Sequence, residues 1–153
     1  MEAWQVFKYV HILAVITAVG ANLTYAFWLA RADRDATRLV FVIESIQRLD
    51  RRVANPAYIV AFIAGAAIVL TGPYSFGTPW IATAIVLYVL VAVLGITLYG
   101  PAVRRQLELA SAAPESADYG AAARRSQLLG LLVTGAVLVI VALMVFKPGL
   151  WGG

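Results

Sequence analysis

Four long apolar stretches restrict the fold of this chain more than any other feature. A helix needs about 20 mostly apolar residues to cross about 30 Å of hydrocarbon. Stretches of that kind run over about 6–30, 54–71, 80–99 and 128–146. No water is present at that depth, so each backbone N–H and C=O must be satisfied within its own segment, and each stretch is expected to be an α-helix. Tyrosines aside, the first carries only Lys8 and His11 as ionisable groups. It is too long for a signal-peptide core and ends at Arg31 with no small-residue cleavage site, so it reads as a retained span. The expected fold is all-α: a polytopic, antiparallel bundle of four transmembrane helices, forming a single transmembrane domain over 1–153.

Composition agrees with a bilayer as the solvent. Apolar residues make up 62% and charged residues 13% of the 153 positions. Soluble domains run at roughly 45–50% and about 25%. The net charge of +4 is modest, and the basic residues fall in two loops, a pattern that does not build a nucleic-acid groove. With no cysteine, disulfides and thiolate metal sites are excluded.

The segment from Asp35 to Val53 has a different pattern. Leu39, Val42, Ile43, Ile46, Leu49 and Val53 recur at helical spacing, with Arg38, Glu44, Arg48, Asp50, Arg51 and Arg52 mostly between them. This predicts an amphipathic surface helix over about 35–53. Asn55 followed by Pro56 predicts an N-cap, with the chain bending there into the second span.

Charge sets the expected orientation. The first loop holds Arg31, Arg34, Arg38, Arg48, Arg51 and Arg52, and the third holds Arg104, Arg105, Arg124 and Arg125. The loop from Gly72 to Pro79 has no charge. The positive-inside rule puts the two basic loops in the cytoplasm and both termini outside, in a bacterial cytoplasmic (inner) membrane. Trp4, Trp80 and Trp151 then fall at the outer interface and Trp28 at the inner one. The outer loop, rich in turn formers and aromatics, reads as a tight connector or a compact cap. Ser111 to Ala123, with Pro114, reads as a flexible break between two helix extensions.

Chemistry points to the first helix. On a helical wheel Trp4, His11, Ala18 and Asn22 fall within about 20° of one line, with Lys8 and Tyr25 on its flanks. Such a stripe should face other helices or a small cavity, not lipid. Ala18 is small enough to admit a neighbouring helix or a flat ligand. Asn22 reads as an interhelical hydrogen bonder. Thr17 and Thr24 point to the opposite face, where their hydroxyls can bond back to the preceding turn. His11, the single histidine, is either a neutral residue bonded to a neighbour helix or a ligand of haem iron. One histidine excludes a bis-histidine haem within one chain. A haem b held by His11 alone, or shared across a dimer, stays open. Lys8 either snorkels to the outer headgroups or meets an anionic group such as a haem propionate. Copper has only Met1 and Met144 as soft ligands. Ala57, Ala61 and Gly65, and Gly130 with Thr134, form small-residue stripes that permit close helix approach. No span contains an acidic residue, which argues against a proton- or sodium-coupled transporter.

Several short runs carry a family resemblance. Lys8-Tyr9-Val10-His11-Ile12-Leu13 with Gly20 and Arg31, then Arg48-Leu49-Asp50-Arg51-Arg52, then Leu70-Thr71-Gly72-Pro73 with Pro79-Trp80-Ile81, resemble an uncharacterised bacterial integral-membrane family, a domain of unknown function. The resemblance covers roughly residues 5 to 110. That family is distantly similar to the copper-resistance D proteins and the HemJ-type protoporphyrinogen oxidases. Those relatives share a first-helix histidine, matched by His11, and the HemJ type is associated with haem and with a lysine on a later helix. The third span here has no lysine. The resemblance therefore implies a fold and a candidate residue rather than an activity.

Three functional expectations follow. The first is a non-catalytic membrane bundle that associates with itself as a homo-oligomer or with a larger membrane complex. The second is a b-type haem-binding redox protein with His11 as axial ligand and Lys8, Asn22 and Tyr25 lining the site. The third is a copper-handling membrane protein.

Overall fold

A computed structural model of the chain describes residues 2–32 and 36–150, the side chains of residues 36 and 37 excepted. Met1, Arg34, Asp35 and Trp151, each assigned a place from the sequence, lie outside the described residues. Among the described residues there is helix and no strand. The helices are α1 (Ala3–Ala32), α2 (Ala36–Leu49), α3 (Asn55–Thr71), α4 (Pro79–Leu94), α5 (Gly100–Ala112) and α6 (Ala117–Phe146). Short π-helical stretches, Asp50–Ala54 and Gly95–Tyr99, join α2 to α3 and α4 to α5. The result is four helices long and apolar enough to cross a membrane.

Both π-helical stretches have the same cause. Each is followed, one residue on, by a proline: Asn55-Pro56 and Gly100-Pro101. A proline inside an α-helix lacks an N–H and its ring strikes the carbonyl four residues back. Here the residue before each proline donates to the carbonyl five back, Asn55 to Asp50 and Gly100 to Gly95. The widened turn makes room for the ring and lets the helix continue. Asn55 is therefore not the helix cap that its sequence suggested. It sits at φ −63 and ψ −46, inside a helix that runs on from α2.

α2 is amphipathic, and protein covers its apolar side. Ala32, Leu39, Ile43 and Ala110 form a buried cluster, with Leu29, Val103, Leu107 and Tyr119 packed around it. This core joins the end of α1 to α2, α5 and the first turns of α6. The break expected over Ser111 to Ala123 is only four residues wide, Ala113–Ser116. Ser116 ends it by capping α6, its Oγ accepting the Tyr119 N–H at 3.1 Å. α6 thus begins eleven residues before the apolar run at Leu128.

At the opposite end, Trp4 packs on Gly72, and Lys147 reaches the 72–78 loop. The described ends of the chain therefore share one end of the bundle with that loop. Lys147 stops α6 in the left-handed region at φ 47, and its N–H bonds Leu143 C=O at 2.9 Å. Its ammonium donates to Tyr74 Oη at 3.3 Å and lies over the Tyr74 and Trp80 rings. Within the apolar zone α1 packs on α3 and α4 on α6. α3 and α4 meet through the stacked rings of Phe62 and Tyr88, 4.8 Å apart, and through Tyr88 Oη donating to Tyr58 C=O at 3.1 Å. Large side chains such as Ile16, Ile63, Ile96 and Leu131 point outward. In water that surface would be prohibitive, whereas lipid chains solvate it.

Candidate functional site

The polar stripe of α1 is the seam against α3, and its order along the helix fixes three contacts. At the N-terminal end of the stripe Trp4 lies against Gly72, where an added Cβ would come within 3.3 Å of its side chain. About two turns deeper the His11 ring lies on Gly65, and a Cβ there would sit 3.1 Å from Cε1 and 3.2 Å from Nδ1. His11 Nδ1 is 2.6 Å from the Ala61 carbonyl oxygen. A carbonyl can only accept, so Nδ1 carries a hydrogen and donates to it. Gly65 and buried Ala61 are what allow the ring so close to the α3 backbone.

Ala18 is 0% exposed, so its position on the stripe is closed by neighbouring helices. Deeper still, Asn22 Nδ2 donates to Tyr58 Oη at 2.7 Å, the interhelical bond expected of it. The other end of that amide, Oδ1, is buried without a partner among the described residues. Tyr25 is buried and donates to Asp50 Oδ1 at 3.4 Å, while Asn55 Nδ2 donates to Oδ2 at 3.4 Å. Lys8 is exposed, its ammonium 5.8 Å from the centre of the Trp4 ring. Thr17 and Thr24 bond back to Leu13 and Ala21 carbonyls, as their outward positions suggested.

The four candidate residues are thus spread along one seam and do not converge on a common centre. His11 meets Ala61 and Gly65, Asn22 meets Tyr58, Tyr25 meets Asp50, and Lys8 stands exposed near the start of α1. Asp50 is the residue that reading the sequence missed. It falls outside the apolar runs, yet the continuous helix and the widened turn at Asp50–Ala54 carry it onto Tyr25. Both its oxygens are held by neutral donors, and the neighbouring Arg51 charge acts on it as well. Two signals pointed to it: Tyr25 on the inner flank of the stripe, and Asp50 one turn before Asn55-Pro56.

The residues can be tested for a haem. The Nδ1–H bond to a backbone carbonyl is the orientation that a metal-ligating imidazole needs, with Nε2 left as the donor atom. The surroundings do not fit. The ring is pressed on Gly65, the stripe below it is closed at Ala18, and Asn22 and Tyr25 are engaged with Tyr58 and Asp50. Among the described residues no group of three or more His, Cys, Asp or Glu side chains converges as a metal site.

A family model described as a predicted integral membrane protein (DUF2269) matches residues 5–148. No curated protein and no solved structure matches.

Proposed function

The chain belongs to the DUF2269 family of predicted integral membrane proteins, and from that premise we propose that it is a non-catalytic bundle of the bacterial cytoplasmic membrane that associates through α1 with a second copy of itself. The observation that carries this reading is the outer face of α1. Thr17, Gly20 and Thr24 are exposed there at spacings that align them along the helix. A Cβ added at Gly20 meets nothing within 4 Å. Both threonine hydroxyls are already satisfied by their own helix. Small residues on a lipid-facing surface permit the close backbone approach by which membrane helices associate.

Gly20→Ile should therefore shift the protein from associated to monomeric. Energy transfer between donor- and acceptor-labelled copies in vesicles reads this directly. Wild-type protein without transfer above the level of a monomeric control, or transfer untouched by the substitution, removes the reading. Gly20 touches nothing within the subunit, so the substitution leaves folding intact.

Orientation belongs to the same proposal. The end bearing Arg48, Arg51, Arg52, Arg104 and Arg105 faces the cytoplasm, and the end bearing Lys8, Lys147 and the 72–78 loop faces outward. Cysteine placed at Arg52 should resist an impermeant thiol reagent in intact cells, whereas cysteine at Ser75 should label. The reverse pattern inverts the bundle. For the haem reading, protein purified with haem supplied is expected to show no Soret band that His11→Ala abolishes. A band lost in that variant would restore His11 as a ligand.

A further inference from the structure

The described structure has a second polar feature, away from the α1 seam. At the basic end of the bundle a cleft of about 130 Å³ opens between α5 and α6. Its floor is small, formed by Ala102 and Ala122, and its upper wall is Thr97, Leu98 and Pro101. Arg105 from α5 and Arg125 from α6 complete its lining. Arg125 also borders a shallower hollow along α6 with Arg124, Leu128 and Leu129.

The donor set of the cleft is one-sided. Thr97 Oγ1 is committed to the Val93 carbonyl at 2.7 Å. The charged side chains that line the cleft are guanidinium groups, with no carboxylate among them. Glu108 lies 3.3 Å from Arg105 in a pair that is 62% and 66% exposed. Exposed pairs of that kind contribute little and exchange readily. The packed sides of the same helices lie elsewhere: Tyr99 covers Gly130, and Gln106 bonds Ser126 in the buried seam. Arg125 and, by exchange with Glu108, Arg105 can thus turn to an external anion.

Depth narrows what that anion is. Leu98 lies at the end of the apolar run of α4, and Arg105 lies two helical turns beyond it, about 10 Å along the axis. Leu98 and Leu128 are exposed where lipid chains run. The cleft therefore presents apolar walls at chain depth and two cations at headgroup depth. A soluble anion would use only the lower half. Basic pockets between helices at the cytoplasmic surface are suited to lipid headgroups, and guanidinium forks match phosphate oxygens in pairs.

We propose that this α5–α6 cleft is a binding site for one anionic phospholipid, its phosphate between Arg105 and Arg125 and its chains passing Leu98 and Leu128. Charge selects an anionic lipid over a zwitterionic one, because a choline or ethanolamine cation would face the guanidinium pair without a counter-charge.

The test uses the full-length protein in a neutral detergent, with thermal stability read as lipid is added. Phosphatidylglycerol should raise the melting temperature in a saturable way and phosphatidylcholine should not. Each of Arg105→Gln and Arg125→Gln should weaken the apparent affinity about fivefold, and the pair together about 25-fold. Both positions are exposed, so the variants fold. Glu108→Gln, which frees Arg105, should bind at least as tightly as wild type. Arg52→Gln, on an exposed arginine away from the cleft, should bind as wild type does. Equal responses to the two lipids overturn the site. So does an Arg52 variant as weak as the cleft variants, which would mean diffuse charge. Inorganic phosphate that fully replaces the phosphatidylglycerol effect at similar concentration overturns the lipid as the ligand.

Discussion

Gly65→Val is expected to destabilise the bundle by about 1–3 kcal/mol, the usual cost of overpacking a filled interior. An added Cβ at this position already lies 3.1 Å from the imidazole, and valine adds two further methyls to that contact. Displacing the ring also breaks the 2.6 Å bond to the Ala61 carbonyl. The diagnostic comparison is Gly65→Ala in two backgrounds. Alanine gains about 0.5–1 kcal/mol over glycine inside a helix. With His11 present that gain is offset by the tight contact. In a His11→Ala background the ring is gone and the full gain should appear. Unfolding in mixed detergent micelles measures all four proteins. If Gly65→Ala stabilises both backgrounds equally, His11 and Gly65 are not coupled and the seam is looser than described.

Asp50→Ala is expected to cost about 1–3 kcal/mol, because it leaves the buried Tyr25 hydroxyl and the Asn55 amide without their acceptor. Asp50→Asn should cost less. Its remaining oxygen can still accept from Tyr25, but its amide nitrogen turns a donor toward Asn55. Tyr25→Phe should be milder than Asp50→Ala, since Asp50 keeps Asn55 and is only half-buried. The expected order of melting temperatures is wild type, then Asp50→Asn, then Asp50→Ala. Asp50→Ala at or above wild-type stability would mean that the two 3.4 Å contacts carry no weight.

Much of the seam was legible on the helical wheel. Trp4, His11, Ala18 and Asn22 share one line, and that line is the face turned to α3. Ala57, Ala61 and Gly65 foretold a close approach, and Ala61 and Gly65 are where the imidazole lands. The choice that Ala18 left between a neighbouring helix and a flat ligand was not legible. A small residue admits either one. Asn55 misled because Asn-Pro is also a helix-start signal. A π-helical turn accommodates the same proline without a break, and local sequence does not separate the two. Asp50 was passed over because hydropathy is averaged along the chain. A carboxylate beside arginines reads as the polar face of a surface helix even when that helix carries it onto a tyrosine.

The amino-acid sequence alone determined the solvent, the number of crossings and the face of α1 turned to its neighbours. Apolar length and helical period are properties of each segment by itself. The tertiary structure alone decided which partner each polar group on that face receives. Those pairings depend on the sliding register of α1 against α3, and the register is set where α1 side chains rest on the α3 backbone, at Ala61, Gly65 and Gly72. It likewise decided that α2, α5 and the start of α6 close a core below the apolar zone. Side chains from four segments distant in the chain meet there, and no one segment encodes the meeting. The four spans were evident from the outset, whereas the pairing of His11 with Ala61 and of Tyr25 with Asp50 exists only in the folded bundle.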